Sequence, residues 1–310
     1  MQFKRRVINF LAGQSMLAVT LFSGLLVIVM GVVLYLKARP LFGIGQLRHV
    51  LLGETWLPST GQFGMKAFIA GTVWVTALSV VLAVPLCILA AIYLAEYARP
   101  GFRAVIKPVI DLLAGIPSVV YGVWGVLVVV PLISGKIAPY ASAHWSKIPI
   151  LATTEYSTGF SVLAGGIVLA IMIIPVIVSV SDEVLRAVSQ DVREVSYALG
   201  ATKLETVFRV VIKKALPGLV AAIVLGVSRA LGETMAVLMV VGNMPIIPKS
   251  IFDAAKPLPA LIANDYGETM SIPMYESALL GASLMLLLIV LLFNLLARIA
   301  LLKNIREEGR

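Results

Sequence analysis

Apolar positions do not alternate with polar ones along this chain. They gather into long runs separated by short polar segments. A run of about 20 apolar residues is long enough to cross a bilayer as a helix. Six runs qualify, at about 15–36, 67–95, 104–133, 161–180, 216–243 and 274–301. The third contains Ala114-Gly115-Ile116-Pro117, and proline removes a backbone donor and clashes with the preceding turn. A kink or interruption is therefore predicted at Pro117. The start of the chain, Lys4-Arg5-Arg6 before an apolar run, is shaped like a signal peptide. Its apolar stretch is some 22 residues and no small-residue cleavage site follows, which predicts a retained span. The expected class is all-α, a polytopic membrane protein of six transmembrane helices. Its expected divisions are residues 1–66 (first span and outer loop), 67–301 (transmembrane domain) and 302–310 (tail).

Composition agrees with this pattern. Of 310 residues, 60% are hydrophobic and 13% charged, and the mean hydropathy is +1.00, which excludes an ordinary soluble enzyme. Cys87 is the single cysteine, so an intrachain disulfide and a cysteine-cluster metal site are excluded. His49 and His144 lie far apart and give no metal-binding spacing. The net charge of +9 is scattered in short groups between apolar runs, the signature of membrane topology rather than of nucleic-acid binding. With both termini on one side, that side holds 16 lysines and arginines and the other holds 8. Both termini are therefore expected in the cytoplasm. The outer loops at 134–160 and 245–273 are proline-rich, at Pro139, Pro149, Pro245, Pro248, Pro257, Pro259 and Pro273. They read either as ordered connectors or as a docking surface for an extracytoplasmic partner.

The most informative polar stretch is 181–215. Ser189 is placed to cap a short helix beginning at Gln190, with Asp191 in its first turn. Gly200 stands where a helix needs a left-handed stop. Thr202-Lys203-Leu204-Glu205 is a capping-box sequence that restarts a second helix through Val207, Phe208, Val210 and Val211. Two short helices joined at Gly200-Ala201 would form a knob, either an ordinary amphipathic connector or a lever that takes force from a soluble partner.

Glu194-Val195-Ser196, then Gly200, then Val210-Val211-Ile212 resembles the EAA loop of ABC-importer permeases. Val195 and Ser196 stand where that motif has two alanines. Ile212-Lys213 replaces its Leu-Pro, and Leu216-Pro217 follows four residues later, with Pro217 expected in the first turn of span five. Two further runs, Ala114 to Gly122 and Arg229-Ala230-Leu231-Gly232-Glu233-Thr234-Met235-Ala236-Val237, are similar to phosphate-specific importer permeases of the PstC type. The likeness extends from about Gly71 to the end of span six. It implies a type I ABC-importer permease fold and a channel subunit that binds no cofactor itself. ATP and Mg would sit on a cytoplasmic ATPase dimer (PstB-type), with a sister permease (PstA-type) and a phosphate-binding protein (PstS-type) completing the assembly. It also implies an ATPase-coupling segment at Glu194, Ser196, Ala198, Gly200 and Ala201, and a substrate pathway through Arg229, Glu233, Thr234 and Ser118.

Arg229 and Glu233 are charges inside an apolar run, and each would cost about 2.5–3.5 kcal/mol at a lipid-facing helix centre. On a wheel of 100° per residue they share one face with Gly218, Ala222 and Gly226. Small residues mark close helix packing, so this face is expected to meet protein or a polar cavity. Four residues apart, the two charges can also pair. That pair reads either as a packing device or as a guanidinium on an anion path. Asp111 is the other acid near the membrane. Ser118, just after Pro117, either caps a helix or offers a hydroxyl to an anion. Anion entry into an inside-negative cell costs about 2.3 kcal/mol per charge per 100 mV, so uptake must be driven. The chain carries no G-x-x-x-x-G-K-[ST] loop, so any ATP is hydrolysed elsewhere. A secondary anion transporter, a permease for sulfate or molybdate, and a membrane scaffold remain the competing readings.

Overall fold

The computed structural model describes residues 2–42, 47–145, 147–152, 158–267 and 274–308. Six of its helical segments are long and apolar enough to cross a membrane. They are Asn9–Leu41, Lys66–Tyr97, Ser118–Trp145, Val162–Ala187, Lys203–Gly232 and Tyr275–Leu301. The all-α, six-span architecture is present, and the third and fifth spans start and end at other residues than the apolar runs.

Helix α1 (Gln2–Ala38) is exposed along nearly its whole length and packs on the C-terminal helix. Its Thr20 and Ser23 hydroxyls donate to carbonyls four residues back, which satisfies them in an apolar surrounding. The connection to the second span holds α2 (Leu47–Leu52) and a short antiparallel hairpin, β1 (Trp56–Leu57) and β2 (Gln62–Phe63), with Trp56 opposite Phe63. Trp56 meets Phe63, Phe68 and Tyr275 edge to face, at centroid distances of 5.4, 4.9 and 6.0 Å.

The second span is α3 (Lys66–Ile92), continued by a π-helical turn at Tyr93–Tyr97. Next comes α4 (Pro100–Ala114), where the structure departs from the expected third span of 104–133. This helix is apolar on one side only. Phe102, Val105, Val109 and Leu112 are exposed, while Arg103 and Lys107 face the end of the fourth span. Charges at 103, 107 and 111 recur every fourth residue, which makes a surface helix and not a span. The interruption falls at Pro117 as expected, and the third span starts after it. It runs through α5 (Ser118–Trp124), α6 (Val130–Leu132) and α7 (Ala138–Trp145), linked by π-helical turns at Gly125–Val129 and Ile133–Ile137. The outer loop expected at 134–160 is shorter in consequence, and Pro139 lies inside helix.

The fourth span, α8 (Val162–Ala187), is the hub of the bundle and is buried over most of its length. Ser161 caps it, and the amides of Val162 and Leu163 donate to the carbonyls of Asp253 and Ile251 at 2.9 and 2.7 Å. The segment after the fifth span thus supplies acceptors to the first turn of the fourth.

The fifth span begins earlier than expected. A short α9 (Gln190–Ala198) is followed by α10 (Lys203–Glu205), a π-helical turn at Thr206–Val211 and α11 (Ile212–Gly232), which form one continuous rod. The second helix of the expected knob is therefore the start of span five, and Pro217 lies inside that span instead of in its first turn. The capping box is present, with Thr202 and Glu205 bonded reciprocally, and Gly200 has φ +86°. Ser189 occupies the cap position of α9, but its side chain makes no capping bond. The predicted small-residue face of α11 packs on α8: a methyl added at Gly218 or Gly226 would lie 2.3 Å from Val184 or 2.5 Å from Ile177.

After α11 the chain breaks and resumes as α12 (Met235–Val240), then α13 (Leu258–Asp265) and α14 (Tyr275–Glu308). Asp265 binds Lys256 at 2.7 Å and accepts from Tyr275 at 2.8 Å, joining α13 to the sixth span. The Thr72 hydroxyl accepts the Leu258 amide at 2.9 Å and ties α13 to α3. Pro257 precedes α13 at its N-cap, and Pro273 lies outside the described residues. The C-terminal helix continues past the expected boundary at 301 to Glu308.

Candidate functional site

Two helix breaks, one before the third span and one at the end of the fifth, have restarts that meet. Before the third, α4 ends at Ala114 and α5 begins at Ser118. Tyr121 reaches back across that gap, donating its hydroxyl to the Leu113 carbonyl at 2.9 Å. In the fifth, the helix ends at Gly232 and resumes at Met235. Helices α5 and α12 then lie in close contact. A methyl at Gly122 would come within 3.2 Å of the Ala236 Cα and 2.6 Å of the Met239 sulfur, so any larger residue would have to push these helices apart or displace Met239.

The break at Glu233 changes the expected geometry. Its backbone is extended (φ −70°, ψ 128°), so the helical register that would stack it over Arg229 on one face is lost. Its carboxylate instead accepts the Ala236 amide at 3.2 Å and caps α12. The expected Arg229–Glu233 pair does not form, and among the described residues Arg229 has no ion-pair partner. Arg229 is half-buried one turn before the break. Thr234 bonds the Gly232 carbonyl at 3.3 Å, and Ser118 is half-buried with its hydroxyl uncommitted among the described residues. Glu233 also lines a cavity of about 10 Å³ with Thr72 and Thr76, room for roughly one water. Ser118 and Tyr121 thus stand at the break before α5, and Arg229, Glu233 and Thr234 at the break before α12, with α5 and α12 packed on each other. Irregular backbone inside a membrane is tolerated only where protein or a polar cavity covers it. Asp111 stands apart from this group, exposed on α4, bonded by Ser179 and 3.5 Å from Lys107.

The second region is the 181–215 segment. Glu194, Ala198 and Gly200 are exposed on α9 and its stop. Ser196 is buried, its hydroxyl 2.9 Å from that of Thr206, and the Ala201 amide donates to the Ser196 carbonyl at 3.2 Å. These bonds fix α9 on the rod of span five. Around them Val195, Leu199, Leu204 and Phe208 expose large apolar surface, with Leu199 at 84%. Exposed apolar groups gathered on a polar end mark an interaction surface.

Two residues here escaped the sequence reading. Arg193 of α9 is buried, and its guanidinium reaches both oxygens of Glu96, at 2.6 and 3.4 Å. It also donates to the carbonyls of Leu185, Val188 and Ser189. One side chain thereby ties α9 to the ends of the second and fourth spans. The available signal was Glu96, an acid in the last turn of a helix, where the dipole disfavours it and a cation is needed.

The profile of a family described as "Binding-protein-dependent transport system inner membrane component" matches residues 83–302. A relative from Xylella fastidiosa, named phosphate transport system permease protein PstC, is 37% identical over 82% of this chain and 78% of its own. A probable ABC transporter permease protein of Bacillus subtilis, YqgH, is 41% identical over 80% and 75%. A probable PstC of Methanocaldococcus jannaschii is 33% identical over 81% and 79%. Among solved structures, a chain of the MetNI methionine ABC transporter in inward-facing form matches with TM-score 0.51 and 19% identity, over 78% of this chain and 94% of that one. That match speaks for the fold alone. The chain is a multi-pass membrane protein and belongs to the family of binding-protein-dependent transport system inner membrane components.

Proposed function

We infer that this chain is the membrane-spanning subunit of an ATP-driven importer of inorganic phosphate. The observation that carries the reading is the conjunction of an exposed, apolar-studded α9 held by Arg193 at one end and paired helix breaks around Arg229 deeper in the bundle. The first has the form of a mechanical input and the second that of a polar route. Relatives named for phosphate transport support the choice of substrate. On this reading α9, with Glu194, Ser196, Ala198, Gly200 and Ala201, rests on a cytoplasmic ATPase dimer that holds ATP and Mg. A sister permease and an extracytoplasmic phosphate-binding protein complete the assembly. On this reading both termini lie in the cytoplasm of a bacterial cell, which the 16-to-8 distribution of basic residues supports.

Within the pathway Arg229 offers a planar fork to a phosphate oxyanion. Glu233 caps α12 with one oxygen and keeps the other for the P–OH proton, which sulfate near neutral pH lacks. A buried acceptor left unpaired penalises the analogue without the proton. The test is co-purification: the tagged chain should bring down an ATPase whose turnover depends on it. A chain that purifies without an ATPase and transports in vesicles lacking ATP would overturn the reading.

A further inference from the structure

At the end of the bundle that carries α9, a cavity of about 880 Å³ opens between the end of α3, helix α4, the end of α8, and α9. Five cations line it (Arg103, Lys107, Arg186, Arg193 and Lys203) against one carboxylate, Glu96. The cations differ in what they already hold. Arg193 is saturated by Glu96 and three carbonyls. Lys107 lies 3.2 Å from Glu183 and 3.5 Å from Asp111. Arg103 gives one terminal nitrogen to Asp182 at 2.6 Å, but its Nε is buried without a partner. Arg186 and Lys203 enter no ion pair among the described residues, and Lys203 rests 4.6 Å over the Tyr97 ring. Two uncompensated cations and an open guanidinium edge thus converge on one cavity. They call for a ligand with more negative charge and more acceptor oxygens than a single carboxylate offers, which a phosphoryl group supplies.

The size of the cavity and the form of α4 narrow the source. The volume lies in the range of sites for whole small molecules, far beyond one tetrahedral oxyanion. Helix α4 carries Arg103 and Lys107 on the cavity side and exposes Phe102, Val105, Val109 and Leu112 on the other. A helix with that division lies in a membrane interface, with its apolar face among acyl chains and its basic face at headgroup level. Basic pockets between helices at this level suit lipid headgroups. A zwitterionic headgroup would bring its own ammonium to a wall already in cationic excess. The geometry points to a binding site for the phosphodiester of an anionic phospholipid, seated between α4 and α9 in the leaflet at this end. The site goes beyond the transport reading and does not depend on it. A lipid held there would brace α4 against the segment that Arg193 anchors.

The test uses the full-length chain, purified with whatever subunits it retains, in nanodiscs of phosphatidylcholine with a minority of phosphatidylglycerol. Retained lipid is counted by native mass spectrometry after mild delipidation. The double variant Arg186→Gln, Lys203→Gln removes the two unpaired cations and breaks no ion pair. Each cation near an anionic headgroup is worth enough that losing two should weaken phosphatidylglycerol retention about twenty- to thirtyfold. The double variant Lys213→Gln, Lys214→Gln removes the same charge from exposed positions and should leave retention unchanged. Equal retention of the two lipids, or equal loss in both double variants, would overturn the site. A third arm adds inorganic phosphate, with sulfate at matched ionic strength as control. Displacement of the lipid by phosphate alone, with phosphate bound in its place, would assign the site to the free anion and overturn the lipid source.

Discussion

Replacing Arg193 by alanine removes the side chain whose hydrogen bonds join α9 to both the second and the fourth spans. The guanidinium is 10% exposed and the Glu96 carboxylate 6%, so the variant strands a buried charge and frees three carbonyls. Removing one partner of a buried pair costs about 3–5 kcal/mol. Little of that need appear as loss of the bundle, because α8 and α3 pack through their own apolar faces. The cost falls on the attachment of α9, which its remaining ties, Ser196 to Thr206 and the Gly200 turn, are too few to replace. At 1.4 kcal/mol per decade, the detached state gains roughly two to three and a half decades in population. Hydrogen exchange in amides 190–199 should accelerate accordingly, up to the limit of their protection in the parent. ATPase turnover that depends on phosphate import should fall with it, while membrane insertion persists. Glu96→Gln keeps an acceptor opposite Arg193 and should show a smaller effect in the same direction. Unchanged exchange at 190–199 and full coupled turnover in Arg193→Ala would refute the anchoring role.

Gly200→Val should lower uptake without preventing insertion. A β-branched residue at φ +86° costs about 1–2 kcal/mol or more, whereas Gly200→Asn, which tolerates that region and meets no neighbour within 4 Å, should retain most transport. Equal uptake by the two variants would contradict this. Arg229→Lys keeps the charge and loses the fork, so phosphate uptake should drop despite normal assembly. Glu233→Gln keeps the cap on α12 but should admit more sulfate competition in a complex that transports without its binding protein. Unchanged sulfate rejection would leave Glu233 a cap only. In a chain freed of Cys87, a cysteine at 205 should label only from the cytoplasm and one at 150 only from outside; the reverse would invert the topology. Burial opposes the charge on Asp265, but bonds from Lys256, Asn264 and Tyr275 outweigh it and hold the carboxylate below its ordinary range. Its stabilisation is then complete above the ordinary aspartate pKa of about 3.9 and is lost as pH falls below that value toward the depressed one. Exchange in amides 258–265 should therefore be flat from neutral to mildly acidic pH after correction for intrinsic rates, and Asp265→Asn should raise it throughout.

The parts of this architecture that were legible in the sequence are those set by neighbours in the chain. Apolar length identifies spans because a bilayer imposes one thickness, and Pro117 announces its break because its chemistry is local. The Thr202–Glu205 box and Gly200 were legible for the same reason. Helix α4 was misread because its average apolarity hides a division into two faces, which Arg103, Lys107 and Asp111 declare only when placed on a wheel. The break at Glu233 carries no proline, and a wheel drawn straight through Gly232 gave an ion pair that the extended backbone forbids. Gly232 followed by an acid and a threonine was the signal for a stop and restart. The Arg193–Glu96 anchor joins residues 97 apart and depends on how spans two and four pack, which no local pattern contains. The meeting of α5 with α12, which packs Gly122 against Ala236 and Met239, is of the same kind.

The central claim is most directly tested by labelled phosphate uptake into sealed vesicles carrying the assembled transporter. Four conditions suffice, with and without ATP on the cytoplasmic face and with and without the phosphate-binding protein on the other. Uptake against a gradient only when both are supplied, and its loss in Arg193→Ala, is the predicted result. Uptake that ignores ATP and follows an ion gradient would contradict the account.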